Sequence, residues 1–477
     1  MRDKLYKKSL VLAIIVCFIG ASIFPSISGN ISTTKKIEKT NKIINVKSAV
    51  TPKQSTTVTA RWTVMLYLAC DSARGKLTDN LLERLTDIGS NDDVNIVALV
   101  DGKVEGDTIR YHIHQDLLEP LPWYDVESDM SDPLTFQRFL ELTKFQYHAD
   151  HYALFTLSAW GSGWQGAFSD AHGTGSSKTL SVITMPEVSS VLKKVTNNGN
   201  NKLDVWGIDV CVPGMVEVAY EIAPYVDYMV ANEEHGFEGD ISEEGYELGW
   251  NYTHFLRELK NNPDMSPEDF SILIVDCYQA GTHISKLFKI KITPPKWYPI
   301  TIFYSTLSAI DLIKIDQINT SLNTLASKLK NNLEQVKPEI KNARAKTREY
   351  GKLYRKFWWL PITIVWLQIE PLGYDGFIDL YDFVDKLKNE TTDTEIQNSC
   401  IMVMDALDEI VIANEALSND PSYGLSIYFP KLRCQYDQSL WRGGGNPEFN
   451  KIPSPYENLQ FSQDNLWDEF LREYLKI

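Results

Sequence analysis

The sequence has no obvious cysteine pairing. Of 477 residues six are Cys, and Cys17 lies in an apolar leader. The other five, Cys70, Cys211, Cys277, Cys400 and Cys434, form no Cys-x-x-Cys pair and have no regular spacing. An odd set of this kind speaks against a disulfide scaffold and a zinc knuckle, and leaves at least one thiol over. Most of the five are expected to pack as small hydrophobes. A Gly-x-x-x-x-Gly-Lys loop, a His-Glu-x-x-His pair and an internal repeat are also missing, so phosphate-cradling and zincin readings find no support. Positive charge is scarce. The 47 Lys and Arg against 63 Asp and Glu give −16, a balance that repels nucleic acid and anionic membrane. The longest apolar run stands at the start of the chain, so a many-span membrane protein is excluded, while 43% hydrophobic residues exclude disorder.

Arg2, Lys4, Lys7 and Lys8 precede the apolar run from Leu10 to Ala21, and small residues follow at Ser26, Ser28 and Gly29. This order predicts a signal peptide over residues 1–29 and export from the cytoplasm. The alternative is an uncleaved membrane anchor, since the stretch from Leu10 to Phe24 approaches the roughly 20 residues of a span. Residues 30–60 carry Lys35, Lys36, Lys39, Lys42, Lys47 and Lys53 against Glu38 alone and read as a flexible basic linker. The body, residues 61–477, is therefore more acidic than the whole and favours cationic or neutral partners.

That body reads as one α/β domain. Apolar, β-branched runs at Trp62 to Leu68, Val94 to Val100, Tyr152 to Leu157, Leu203 to Ile208 and Tyr228 to Ala231 predict buried strands. Between them, Leu77 to Ile88, Pro133 to Phe145, Pro186 to Val195 and Met215 to Ile222 have helical spacing. The rhythm implies a mostly parallel central sheet with helices on both faces, and an active site beyond the carboxyl ends of the strands. A hairpin near Thr108 to Gln115 puts His112 and His114 on one face; simple alternation on an exposed hairpin explains them better than a metal site. The second half predicts a helix from Pro267 to Ala280, a strand from Ile300 to Tyr304 and one long charged helix from Ile315 towards Arg348. A strand region at Trp358-Trp359, helices at Leu380 to Lys388 and Ile396 to Ala413, a strand at Tyr423 to Phe429 and a closing helix from Leu466 to Tyr474 follow.

The segment Leu203-Asp204-Val205-Trp206-Gly207-Ile208-Asp209-Val210-Cys211 is a buried strand ending in a thiol, followed by Gly214 and a helix. A cysteine between strand end and helix start is placed for nucleophilic attack, with backbone N–H groups nearby to receive an oxyanion. Asp209, two residues earlier, is expected on the same face as Cys211. A carboxylate beside a thiol opposes thiolate formation, so its expected task is to recognise a cationic substrate group. A second strand, Tyr152 to Leu157, runs into the glycine-rich turn Ser158-Ala159-Trp160-Gly161-Ser162-Gly163-Trp164.

These segments, with Trp62 to Leu68, Glu217 to Glu221, Ser308 to Asp311, Asp379 to Phe383 and Gly424 to Pro430, resemble in collinear order the clostripain family of secreted cysteine peptidases, whose fold is caspase-like. The resemblance implies a Cys/His dyad that cleaves after Arg or Lys, with Cys211 as nucleophile and Asp209 as the acid of the Asp-x-Cys motif that binds the basic side chain. It also implies polypeptides bearing Arg or Lys as partners. The family's Trp-Asp-His-Gly motif is here Ser158-Ala159-Trp160-Gly161. Trp160 holds the place of the catalytic histidine, and Gly161 keeps the glycine beside the oxyanion region. A thiol of pKa about 8.5 is only a few per cent thiolate at neutral pH, and indole cannot protonate a leaving amine. After the cysteine, Val212-Pro213 replaces the more usual Leu-Met and removes one N–H.

The expectation is therefore a pseudo-peptidase that keeps Cys211 and an acidic pocket. The alternative is an active endopeptidase with His172 or His235, both read as loop residues at the functional end, as relocated base. His151 falls at the wrong end of its strand, and His254 and His283 read as helix residues. Glu233, Glu234, Glu238, Asp240, Glu243 and Glu244 read first as a solvated loop. The functional alternatives are an anionic rim, with Asp240 assisting substrate binding, or a calcium site, though the Asp-x-Asp spacing of an EF-hand is absent. No cofactor beyond calcium is implied. Family self-cleavage at a basic residue would fall at Lys178.

Overall fold

The computed structural model describes residues 59–71, 75–102, 104–158, 161, 163–172, 179–234, 249–278, 282–285, 300–350, 353–356, 366–369, 376–433, 436 and 455–477. Only the backbone is described at 75–79, 171–172, 179–180, 282–285, 300–304, 353–356 and 366–369.

A nine-stranded sheet organises these residues. Its strands in chain order are β1 (Ala60–Ala69), β2 (Val94–Asp101), β3 (Ile109–His114), β4 (Leu117–Leu121), β5 (Ala149–Ser158), β6 (Leu203–Asp209), β7 (Val226–Ala231), β8 (Leu307–Asp311) and β9 (Val411–Glu415). In space they run β9-β8-β7-β6-β5-β1-β2-β3-β4. The five central strands pair in parallel, and the two strands at each edge pair antiparallel. All five strands expected from the apolar runs are present, as is the hairpin, formed by β3 and β4.

Period-two alternation divides the core between the two faces of the sheet. Met65, Tyr67, Val97, Leu99, Leu154, Trp206 and Ile208 turn to one cluster, which holds the helices Pro133–Gln146, Met185–Val195, Val216–Ile222, Ile315–Asn331, Leu333–Lys346, Leu380–Glu390, Thr394–Ile410 and Trp467–Leu475. Val64, Leu66, Ile96, Ala98, Phe155 and Val205 turn to the other, against Gly75–Thr86, Tyr252–Asn261 and Pro267–Asp276. Local chemistry starts these helices where the sequence suggests. Asp132 accepts from the Leu134 N–H before Pro133, Thr184 and Glu187 form a capping box, and Ser266 accepts from the Asp269 N–H.

Three expectations change. The charged helix breaks at Asn332 into Ile315–Asn331 and Leu333–Lys346. Asn332 leaves helical geometry and its side chain donates to the Lys328 carbonyl, closing the first helix. His283 lies in a strand, Thr282–Ser285, which pairs antiparallel with Ile300–Tyr304. The run at Tyr423 is a short strand, Ser426–Tyr428, paired with Phe377–Asp379 outside the main sheet. Trp358, Trp359, Cys434 and Lys178 lie outside the described residues.

Candidate functional site

Strand β6 is buried because both its neighbours are sheet strands. Trp206 donates to the Thr156 hydroxyl across to β5 at 3.1 Å, fixing the register of the pair in which Leu157 lies opposite Asp209. β6 ends at Asp209, and Cys211 stands just past its carboxyl end, 8% exposed. It forms no disulfide, nor do Cys70, Cys277 and Cys400.

The turn after the cysteine is held by backbone bonds on every side. Val212 N–H donates to the Glu234 carbonyl at 3.1 Å, Gly214 N–H to Asn232 at 2.9 Å, and Met215 N–H to Pro213 at 2.8 Å. The Asn232 amide donates to the Val210 carbonyl, and both the N–H and the hydroxyl of Ser426 donate to the Gly214 carbonyl. Inside this clamp Val212 sits at φ +55°, a left-handed conformation that a β-branched residue adopts only under constraint, at a cost of roughly 1–3 kcal/mol. Of the four positions after Cys211, three thus have committed N–H groups and Pro213 has none. The following helix begins at Val216, within one residue of the start its spacing predicts and five positions past the thiol.

The glycine turn of β5 packs directly on this segment. A Cβ on Gly161 would clash with Val210 Cγ2 and meet the Cys211 carbonyl at 2.8 Å, and one on Gly163 would clash with Met215 Sδ. The structure therefore brings Gly161 and Cys211 together. Trp160, His235 and Asp240 lie outside the described residues, and of His172 only the backbone is described. That backbone is strand, not loop: His172 closes Phe168–His172, paired with Thr179–Ile183. The hairpin is tied to the end of β5 by the Ser158 hydroxyl, which donates to the Ser169 carbonyl at 3.0 Å. Among described side chains, His112 and His114 lie on the β3–β4 hairpin, and His148 and His151 at the opening end of β5. His254 is exposed on Tyr252–Asn261.

Asp209 faces differently from the expectation. Its carboxylate accepts from the Tyr252 hydroxyl at 3.2 Å, beside Trp250 and Phe155, in the second core cluster, whereas Cys211 packs with the first. Alternation stops with the strand at Asp209, so it does not carry the pair onto one face. Asp209 is 3% exposed, a buried carboxylate beside hydroxyl-bearing aromatics.

Glu233 and Glu234 are likewise not a solvated rim. Both are buried where β7 continues under the C-terminal part of the chain. Glu233 accepts from the Gly424 N–H at 3.0 Å and shares a hydrogen bond with Asp379, which also accepts from the Tyr350 hydroxyl and the Tyr423 N–H. Burial first, then the charge of Asp379, holds the Glu233 carboxyl well above the usual range; burial lifts Asp379 to about 6. Glu234 pairs with Arg348, which also reaches Asp420, each at 3.1 Å. Beneath Cys211 the helix Val216–Ile222 is fastened by acids too. Glu217 accepts from the Tyr428 N–H at 2.9 Å and the Tyr456 hydroxyl at 2.8 Å, and burial pushes its carboxyl up to about 7.

One acidic group escaped the sequence reading. Asp71, Asp101 and Glu127 bring carboxylate oxygens within 4.8 Å of one another past the carboxyl ends of β1 and β2. Burial and the neighbouring acids raise Asp101 to about 8. The signal was present, an Asp closing or directly following each of two buried strands. Three carboxylates so arranged suit a hard cation such as calcium. A cleft of about 640 Å³ lined by Lys193, Lys202, Tyr220, Tyr225 and Gln460, among others, contains none of the candidate site residues.

A thiol past a central parallel strand, with a glycine turn from the adjacent strand packed on it, defines a caspase-like cysteine-peptidase scaffold. Residues 66–474 match Peptidase C11, the clostripain family. Clostripain of Hathewaya histolytica is 22% identical over 468 residues, 83% of this chain and 80% of that protein. Among solved structures, an inactive zymogen C11 protease from Parabacteroides distasonis aligns with a TM-score of 0.53 at 16% identity, over 87% of this chain and 99% of that one. A secreted C11 cysteine protease from Bacteroides thetaiotaomicron aligns with a TM-score of 0.50 at 13% identity, over 78% and 93%. The two structures bear on fold alone. The chain belongs to the clostripain family.

Proposed function

We propose that this chain is an exported clostripain-family pseudo-peptidase that binds polypeptides through Arg or Lys side chains and turns them over poorly. The observation that carries the reading is Trp160 at the family's histidine position, in Ser158-Ala159-Trp160-Gly161. Trp160 offers no imidazole at the place where the family carries its general base and proton donor. The committed N–H groups and the proline after Cys211 support the same reading, because they withdraw donors from the side of the thiol where an oxyanion would gather charge. In this account Asp209, buried beside Tyr252 and not on the face of Cys211, acts on a basic side chain through its charge past the end of β6, and Asp240 adds to it. Residues 1–29 act as the export signal and 30–60 as a basic linker to the peptidase-like body. No helix among the described residues is long and apolar enough to cross a membrane.

The second reading, an active Arg/Lys endopeptidase with a relocated base, draws on one observation: the strand that His172 closes is tied to the end of β5 through Ser158 and Ser169. Binding and cleavage of one Arg-terminated fluorogenic peptide, measured side by side for wild type and Cys211→Ala, separate the two. Binding without cleavage in both proteins supports the pseudo-peptidase. Cleavage by wild type that Cys211→Ala abolishes supports the relocated base, and His172→Ala and His235→Ala then identify it.

A further inference from the structure

The β3–β4 hairpin at the far edge of the sheet gathers two imidazoles and a carboxylate. His112 lies directly opposite Glu119 in the antiparallel register, and His114 is two residues along the same face. The three donor atoms fall within 4.8 Å of one another. His114 Nε2 stands 2.8 Å from Glu119 Oε2, and His112 Nδ1 stands 3.8 Å from the same oxygen. Tetrahedral zinc with bonds of about 2.0–2.2 Å sets its ligands roughly 3.4 Å apart, between these two distances. Small side-chain rotations suffice to close on an ion.

The cluster is also held in place. Ser90 donates to the Ile113 carbonyl through both its N–H and its hydroxyl, and the Asp116 N–H donates to Thr86. These bonds anchor the hairpin and its turn to the loop and helix end behind. His112 packs on the Tyr147 ring with centroids 4.7 Å apart, and its Nε2 is buried without a hydrogen-bond partner, so Nδ1 is the atom turned towards Glu119. His114 and Glu119 reach solvent, leaving room for water to complete the coordination.

We propose that His112, His114 and Glu119 form a binding site for a zinc-type divalent transition metal on the edge hairpin, separate from the Cys211 region. Two imidazole nitrogens and one carboxylate oxygen select zinc and its neighbours in the transition series over calcium, which prefers an all-oxygen shell. The ion takes the place of the hydrogen bond between His114 Nε2 and Glu119, and the neutral imidazole keeps its one N–H on Nδ1. The ion closes β4 onto β3 and thereby braces the open edge of the sheet.

The test is zinc binding to the full chain, after removal of metal by a chelator, with wild type, His114→Ala and Glu119→Gln compared by titration calorimetry. Both substituted residues are partly exposed, so folding is retained. One zinc per chain is expected in wild type, with at least about a 10-fold loss of affinity in each variant. Cobalt(II) replacing zinc should show visible d–d bands without the near-ultraviolet charge transfer that a thiolate ligand gives. No zinc bound by wild type, variants that bind zinc as tightly as wild type, or a thiolate band that Cys211→Ala removes would each overturn the proposal.

Discussion

Glu217→Gln should stabilise the protein at alkaline pH and leave it nearly unchanged near pH 5. Glu217 is fully buried; one oxygen takes the Tyr428 N–H and the Tyr456 hydroxyl, and the other has no partner. Burial raises its pKa to about 7, from an ordinary value of 4.5. A carboxyl whose folded pKa is raised favours folding in its protonated form. Its contribution is present in full below the unfolded pKa and is lost as pH rises through about 7. At about 1.4 kcal/mol per pKa unit, the loss at pH 8.5 is on the order of 3 kcal/mol. Glutamine has the same shape and an oxygen for the same two donors, but no charge to bury. The difference in unfolding midpoint between variant and wild type, followed from pH 5 to 8.5, should open in the variant's favour across that window. Parallel pH profiles, or a variant that falls further behind as pH rises, would refute the assignment of a buried, titrating Glu217.

Arg348→Ala leaves Glu234 and Asp420 buried without their shared cation and should cost roughly 3–5 kcal/mol, read as a lowered denaturant midpoint. Gly161→Ala drives a methyl into Val210 and the Cys211 carbonyl. It should destabilise by about 1–3 kcal/mol, and a midpoint within error of wild type would contradict the packing of the two turns. Asp209→Asn should weaken an Arg-terminated peptide by about 10-fold or more while leaving a Gln-terminated peptide unaffected, as measured by fluorescence anisotropy. Equal losses for both peptides would argue that Asp209 acts only through its bond to Tyr252.

The sheet was legible because its strands are buried on both faces. Runs such as Val94 to Val100 have few other ways to satisfy so much apolar, β-branched surface, and Asp132, Thr184 and Ser266 mark where helices begin. The place of Cys211 just past β6 was legible for the related reason that the buried apolar run ends there, at the edge where open α/β sheets bind ligands. What failed was whatever depends on residues far apart in sequence. Glu233 and Glu234 read as solvent-facing because nothing local says that Asp379, Arg348 and Gly424 close over them. The facing of Asp209 was misjudged because two-residue alternation was carried past the end of β6. The kink at Asn332 hid in a charged stretch whose helical period continues on either side. The alternation that predicts the hairpin also accounts for His112 and His114; Glu119, opposite His112, stands on the next strand, outside that pattern.

The central claim is that Trp160 stands where the family places its base and thereby silences an otherwise retained cysteine-peptidase scaffold. It is tested most directly by the rate of cleavage after Arg in a fluorogenic peptide, compared between wild type and Trp160→His, each with and without Cys211→Ala. The account predicts a silent wild type, together with Trp160→His activity that Cys211→Ala removes. Cysteine-dependent cleavage by wild type as fast as that of Trp160→His would contradict it.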